Sequence, residues 1–393
     1  MLHNVLINGE WRASSGTKTF NAVNPATCEP IAGDYPVSPW EEVEQAIAAS
    51  AAASREMRGW PGERFAAFLD NFADRIEARA DELVATANLE TALPVSPRLK
   101  DGELPRTTDQ LRQAAAAARE GSWAMPTIDT KANIRSMHGS IGPVAVFGPN
   151  NFPFAFNSVA GGDFAAAVAA GNPVIAKGHS SHPGTTRLLT EEAFAAAQET
   201  NMPAGFVQLI YRTSHDDGCV FVGHADVGAI GYTGSRSAGL RLKEAADKSG
   251  NPIYLELSSI NPVFVLPGAL AERSEEIAGE FSGSCLMGTG QFCTNPGMVI
   301  LLAGENTDAF VAGVSEQFSA APVGTFLSEA VQKSFLSGIS ALKDAGAELI
   351  TGGEAGGGCG FSCQNTLLKV DGASFLEHPE ALQAEAFGNG SLF

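Results

Sequence analysis

Positive charge is scarce in this chain. It carries 25 lysines and arginines against 44 aspartates and glutamates, a formal net charge of −19. Binding a phosphate backbone needs clustered Lys and Arg, so nucleic acid is not expected as a partner, nor is an anionic membrane surface. A solvated, self-repelling surface is the plain meaning of the charge. Long apolar runs are also lacking: nothing approaches the roughly 20 residues of a membrane helix. Residues 1–10 have no basic region followed by an apolar core, so no secretory signal is read there. The six cysteines, at 28, 219, 285, 293, 359 and 363, are too scattered in 393 residues for a disulfide scaffold. Cys359 and Cys363 have no histidine nearby and the wrong spacing for a common zinc knuckle, so no metal is expected. These readings point to a reducing, cytoplasmic compartment.

What is present is ordinary globular material, 44% hydrophobic and 18% charged, with length for two or three cores. Asn8-Gly9 between Val5-Leu-Ile and Glu10-Trp-Arg predicts a tight hairpin. An extended piece follows over 19–25. Helical periodicity runs from Trp40 to about Arg58, from Pro61 to about Leu93 and from Gln110 to Glu120. From Ile134 the texture changes to short β-rich runs alternating with helices. Strands are predicted over 141–147, 173–177, 206–211, 227–232 and 253–257, and helices over 164–170, 185–200 and 236–248. Alternation of this kind means a parallel sheet covered on both faces, whose ligands bind beyond the carboxyl ends of the strands. From Asn261 a second α/β unit is predicted: strand 262–266, helix 272–286, strand 298–302, helix 328–346, and strands 347–351 and 366–370. Residues 352–360 read as a flexible glycine-rich surface loop. The last residues, Glu385 to Phe393, read as the opening of a strand with no partner, and suggest a C-terminally incomplete chain.

The stretch Gly288 to Gly297 presents one cysteine, Cys293, among small and turn-forming residues. Glycine and proline let a backbone hold an irregular shape close to a ligand. Cys219, inside Gly-Cys-Val-Phe-Val, reads instead as a packed thiol. Four further features sit at strand ends. Asn150-Asn151 follows a strand; an Asn amide can donate to developing negative charge, or simply cap a turn. Lys177 ends a strand and can reach a nucleotide's ribose or phosphate, or stand solvated. Gly234 to Gly239 follows a strand and opens a helix, whose N-terminus offers free amides to a pyrophosphate. Glu256 lies in an apolar strand, where burial would raise its pKa and suit it to general-base work; backbone N–H groups in a turn would hold it otherwise.

Together these give a nucleophilic thiol, a base, an amide donor and a dinucleotide site. The set fits thiolate attack on an aldehyde, an amide-held oxyanion, hydride loss to a nicotinamide, and hydrolysis of the resulting thioester. A cofactor-independent cysteine acyl transferase or hydrolase is the rival from another class. Such enzymes pair cysteine with histidine, and no histidine stands in a motif near Cys293.

The sequence resembles the aldehyde dehydrogenase superfamily. The resemblance rests on Gly148-Pro-Asn-Asn-Phe-Pro153, Ala176-Lys177, Tyr232 to Gly239, Leu255 to Pro262, Gly290-Gln-Phe-Cys-Thr294 and Glu385-Ala-Phe-Gly388, in family order. It implies an α/β fold: a Rossmann-like cofactor domain over 1–120 and 140–256, a small oligomerisation arm over 121–139, and an α/β catalytic domain over 257–393 that lacks its final portion. It implies Cys293 as nucleophile, Glu256 as general base, and Asn151 with the Cys293 amide as oxyanion hole. Lys177 would hold the adenosine ribose, Gly234 and Ser235 lie near the pyrophosphate, and Glu385 meets the nicotinamide ribose. Pro149, Asn150, His179, Ser180, Gly239, Leu257 and Phe387 complete the implied cofactor set.

Asn150 departs from the family's usual tryptophan, and Asn389 from its usual proline. Within the family the chain is most similar to the branch acting on 2,5-dioxovalerate, through Asn24-Pro-Ala-Thr27, residues 35–43, the Asn-Asn form and Gly290 to Gly297. That branch also resembles NADP-preferring fatty-aldehyde dehydrogenases, which leaves a longer aliphatic aldehyde as the runner-up substrate. His179 and Ser180 suit a 2′-phosphate better than an acid would, so NADP is expected ahead of NAD. The family implies a homodimer or homotetramer.

Overall fold

The structure is a computed structural model that describes residues 2–393. The chain divides into two compact units, Met1–Ala22 with Pro30–Leu257, and Val23–Glu29 with Ser258–Phe393.

The first unit is built on a seven-stranded sheet. Its order is Ile253–Glu256, Ala229–Thr233, Val144–Phe147, Val174–Lys177, Val207–Ile210, Val5–Ile7 and Glu10–Arg12. The first five strands run parallel. The strand Val144–Phe147 is buried at every position, as its unbroken apolar run required, and so is Val207–Ile210, polar Gln208 included. Val5–Ile7 adds antiparallel to the sheet and turns back on Glu10–Arg12. Asn8 and Gly9 both adopt positive φ, 52° and 73°, the primed turn that matches strand twist. The chain reverses direction across the sheet at Val144–Phe147, which has Val174–Lys177 on one side and Ala229–Thr233 on the other. This is a topological switch point, where doubly wound sheets open a ligand crevice at the strand carboxyl ends.

The helical pattern over 61–93 resolves into two helices, Gly62–Ala78 and Ala80–Thr91. Arg79 breaks the run with φ −105° and ψ 15°. Its guanidinium is held by Glu82, Glu191 and Glu192, a tertiary constraint that local periodicity does not carry. The next helix starts earlier than its pattern, at Leu104, after a wide π-type turn over Val95–Glu103. A helix at His215–Val222, capped by Ser214, lies outside the expected elements. It leaves Cys219 half-buried, so that thiol is not the packed one expected. Residues Thr127–Asp129 and Ile134–Ser136 form an exposed antiparallel hairpin.

The second unit holds a five-stranded sheet in the order Pro262–Val265, Met298–Leu301, Gly390–Leu392, Thr366–Lys369 and Glu348–Thr351. The expectation of a partnerless final strand is overturned. Gly390–Leu392 is buried in the middle of the sheet and pairs in parallel with Met298–Leu301 and Thr366–Lys369. Helix Pro267–Leu286 packs with Glu305–Ala320 through Phe281, Cys285, Phe310, Val314 and Phe318. The glycine-rich loop is packed against a neighbour: a Cβ on Gly360 would lie 1.8 Å from the Pro25 carbonyl oxygen. The Phe361 amide donates to that same oxygen at 3.0 Å. No helix among the described residues is long and apolar enough to cross a membrane.

Candidate active site

In the first unit, pairing fixes where the functional loops emerge. Phe147 is in register with Lys177 and Tyr232, Lys177 with Ile210, and Thr233 with Glu256. The loops that follow, with Pro149 to Asn151, His179 and Ser180, Gly234 and Ser235, and Leu257, therefore leave one carboxyl edge.

The loop after Phe147 is clamped from behind. Glu103, with its side chain fully buried, accepts the amides of Phe154 and Ala155 at 2.8 and 3.0 Å. Its other oxygen holds Arg98 at 2.6 Å, and Arg98 donates to the Asn151 carbonyl at 2.9 Å. Asn151 is 8% exposed, and Asn150 is half-buried. Buried His182 holds the Pro149 carbonyl at 2.9 Å. Gly148 admits no side chain, because a Cβ would sit 2.5 Å from the Phe156 carbonyl oxygen.

Lys177 is half-buried and has no acidic partner among the described residues. Desolvation, with the Arg212 charge adding, pushes its ammonium down to about 8. Half-buried His179 lies face to face with His182 at 5.3 Å, and its Nδ1 accepts the Ser181 amide. Burial first, then His182 and Lys177, holds His179 well below the usual histidine range. Ser180 is half-buried beside it.

Helix Arg236–Ser249 opens at Ser235, which makes no side-chain cap, so the first-turn amides remain available. The Gly234 amide donates to the Glu256 carbonyl at 3.1 Å. Close packing requires glycine at 239: a Cβ would stand 2.4 Å from Leu257 Cδ2 and 3.0 Å from the Tyr232 ring. These uncapped amides, the lysine without an acid and the switch-point edge fit a dinucleotide.

Glu256 is exposed, which corrects the expectation of a buried carboxylate. Ile253–Glu256 is the sheet's edge strand, paired on one side only, so apolar neighbours in sequence do not cover it. Asp163 reaches the same sheet: its Oδ2 lies where a Cβ of Gly231 would come within 2.7 Å. Desolvation, then the Glu256 charge, hold the Asp163 carboxyl above the usual range.

In the second unit the cysteine loop is irregular and tightly bonded. Gly288, Thr289 and Gly290 all have positive φ, 56°, 61° and 65°. That conformation is strained for threonine. A Cβ on Gly290 would meet the Gly388 carbonyl oxygen at 2.1 Å. Half-buried Cys293 has its carbonyl held by Asn261 Nδ2 at 2.7 Å and Ser259 Oγ at 2.5 Å. The Ser259 amide donates to Glu385 Oε1 at 3.2 Å. Glu385 is half-buried, and desolvation outweighs these bonds to raise its carboxyl. Phe387 is half-buried nearby in sequence. By contrast Cys285 is a core thiol, pushed by burial up to about 12. Asn389 uses its amide structurally, donating to the Cys363 carbonyl at 2.9 Å and to Asn365 Oδ1 at 2.7 Å.

Sequence reasoning missed Arg98, Glu103, Asp163 and His182. Each acts across a long separation in sequence. Asn261 and Ser259 lay inside a recognised motif, but their hold on the Cys293 carbonyl is a tertiary fact.

The profile described as the aldehyde dehydrogenase family matches residues 11–388. The chain is 39% identical to alpha-ketoglutaric semialdehyde dehydrogenase 2 of Azospirillum brasilense, over 99% of this chain and 75% of that protein. It is 34% identical to the alpha-ketoglutaric semialdehyde dehydrogenase of Acinetobacter baylyi, over 98% of this chain and 74% of that one. Among solved structures, HpcC from Thermus thermophilus superposes with TM-score 0.86 at 22% identity, covering 100% of this chain and 76% of that one. PnpE in complex with nicotinamide adenine dinucleotide gives TM-score 0.84 at 24% identity, covering 100% and 80%. At such identities the structural likeness establishes the fold.

Proposed function

The chain belongs to the aldehyde dehydrogenase family, which oxidises an aldehyde to a carboxylate, and from that premise we propose that its substrate is 2,5-dioxovalerate, oxidised to 2-oxoglutarate. The observation that carries the substrate is the shared name of two relatives aligned over nearly the whole chain; alpha-ketoglutaric semialdehyde is 2,5-dioxovalerate. Membership in a dehydrogenase family supports a nicotinamide cofactor. NADP is the preferred form, because residues 178–182 contain histidine and serine and no acid to repel a 2′-phosphate.

In this reading the Cys293 thiolate attacks the aldehyde carbon. Asn151 Nδ2 and the Cys293 amide donate to the oxyanion that forms. A bound nicotinamide cofactor would supply the hydride acceptor. Glu256 takes a proton from the water that hydrolyses the thioester on Cys293. Lys177 would hold the adenosine ribose, and the first-turn amides after Ser235 would receive the pyrophosphate with Gly234 and Gly239 alongside. Pro149, Asn150, His179, Ser180, Leu257, Glu385 and Phe387 would complete the cofactor's contacts. Residues 1–120 and 140–256 are the cofactor domain and 257–393 the catalytic domain. The exposed hairpin within 121–139, with Ile128 and Ile134 67% and 58% exposed, is the arm for a homodimer or homotetramer, in the cytoplasm.

An assay at 340 nm with 2,5-dioxovalerate, comparing NADP with NAD, tests the reading. Reduction that vanishes in Cys293→Ala and is at least tenfold better with this semialdehyde than with octanal is expected. Equal or better turnover of octanal would overturn the substrate, and activity retained in Cys293→Ala would overturn the mechanism.

A further inference from the structure

Arg106 sits in the first turn of helix Leu104–Glu120, where the helix dipole disfavours a cation. No carboxylate compensates it: among the described residues Arg106 makes no ion pair. The two acids nearest it in sequence are engaged elsewhere. Glu103 is taken by Arg98, and Asp109 accepts Gln113 Nε2. The Arg106 guanidinium instead lies over two rings of the loop that carries Asn151, 5.6 Å from the centroid of Phe152 and 5.0 Å from that of Phe156. Those rings pack on each other at 4.6 Å, and Arg98 also lies over Phe152, 4.4 Å from its centroid. The side chain is exposed, so its donors are open to an incoming anion. A cation held in an unfavourable place, on aromatic rings beside the amide donor and in a chain of net charge −19, has the form of an anion anchor.

We infer that Arg106 binds the carboxylate of the substrate and so selects aldehydes that carry a terminal carboxylate over neutral ones. The inference rests on the aldehyde oxidation proposed above and deepens it. Phe152 and Phe156 hold the guanidinium plane while its N–H groups meet the carboxylate oxygens. Arg98 adds no net charge, being neutralised by Glu103. Because the carboxylate is anchored equally before and during the reaction, the effect falls on KM and leaves kcat.

The test compares wild type, Arg106→Ala and Arg106→Lys on 2,5-dioxovalerate, 5-oxopentanoate and pentanal. Arg106→Ala should lower kcat/KM by about 10- to 100-fold for both acids, the scale of a hydrogen bond to a charged group, through KM. Turnover of pentanal should stay within about twofold, and Arg106→Lys should recover part of the loss. Inhibition by 2-oxoglutarate with pentanal as substrate should weaken in parallel in Arg106→Ala, a readout of carboxylate binding without its chemistry. Equal losses on acids and pentanal, or no loss on the acids, would overturn the anchor. A wild type that prefers 5-oxopentanoate and loses it in Arg106→Ala would sustain the anchor and overturn 2,5-dioxovalerate as the substrate. A wild type that prefers pentanal to both acids would overturn both.

Discussion

The wholly buried side chain of Glu103 holds the Arg98 guanidinium at 2.6 Å, and Arg98 in turn donates to the Asn151 carbonyl at 2.9 Å. The proposed oxyanion donor is thus positioned by a charge pair from a different segment. Glu103→Ala leaves the Arg98 charge uncompensated and the Phe154 and Ala155 amides without their acceptor. Breaking one partner of a buried pair costs about 3–5 kcal/mol. Urea unfolding should show a loss of that order, and Glu103→Gln, whose remaining oxygen can still accept both amides, a smaller one. At temperatures where Glu103→Gln is folded, kcat should fall with little change in cofactor KM. A fall in cofactor KM alone would contradict the positioning role.

Much of this arrangement was legible in the sequence, and the boundary of legibility has a physical cause. The strands ending at Phe147, Lys177 and Thr233 are short β-branched runs bounded by glycine or proline, a local signal. The cysteine loop declared itself through Gly288, Gly290 and Gly297. Helix Glu305–Ala320 was readable in principle, since Phe310, Val314 and Phe318 recur every fourth residue. Glu256 was misjudged because apolar neighbours do not reveal whether a strand is central or at an edge. The clamp on Asn151 joins residues 53 apart, beyond any local pattern.

Glu90 gives a pH dependence of stability. Its buried carboxyl accepts the amides of Gly184 and Thr185 and the Thr185 hydroxyl, capping helix Pro183–Glu199 behind Lys177. Desolvation outweighs those bonds and pushes it up to about 7 from 4.5. A raised carboxyl means the unfolded chain releases its proton first as pH rises. Its contribution is full below pH 4.5 and is lost progressively up to about pH 7, on the order of 3 kcal/mol. Wild type should therefore lose more stability than Glu90→Gln between pH 5 and 7.5, read from urea midpoints. Parallel pH profiles for the two proteins would refute the assignment.

Gly239 offers a separate probe of the cofactor turn. A Cβ there would need about 1 Å more room against Leu257 Cδ2, which now stands 2.4 Å from that position. Overpacking of this kind costs about 1–3 kcal/mol. Gly239→Ala should lower stability by that amount and raise cofactor KM several-fold, with kcat on saturating cofactor nearly unchanged. An unaltered cofactor KM would mean that the helix after Ser235 does not face the dinucleotide.

Lys177 supplies the sharpest pH test of cofactor binding. Its ammonium, held down to about 8 by desolvation and the Arg212 charge, is cationic at pH 7 and largely neutral at pH 9. A neutral amine has lost the charge that attracts a phosphate while keeping a donor for a ribose hydroxyl. KM for NADP should rise across this range more steeply than KM for NAD, if the lysine serves the 2′-phosphate as well as the ribose. Arginine stays charged throughout, so Lys177→Arg should flatten the NADP profile even where its fit raises KM at every pH. His179 and His182, both held below the usual histidine range by burial, stay neutral over the interval and add no slope of their own. A wild-type profile for NADP that matches that of Lys177→Arg from pH 7 to 9 would remove Lys177 from the phosphate and leave it to the ribose alone.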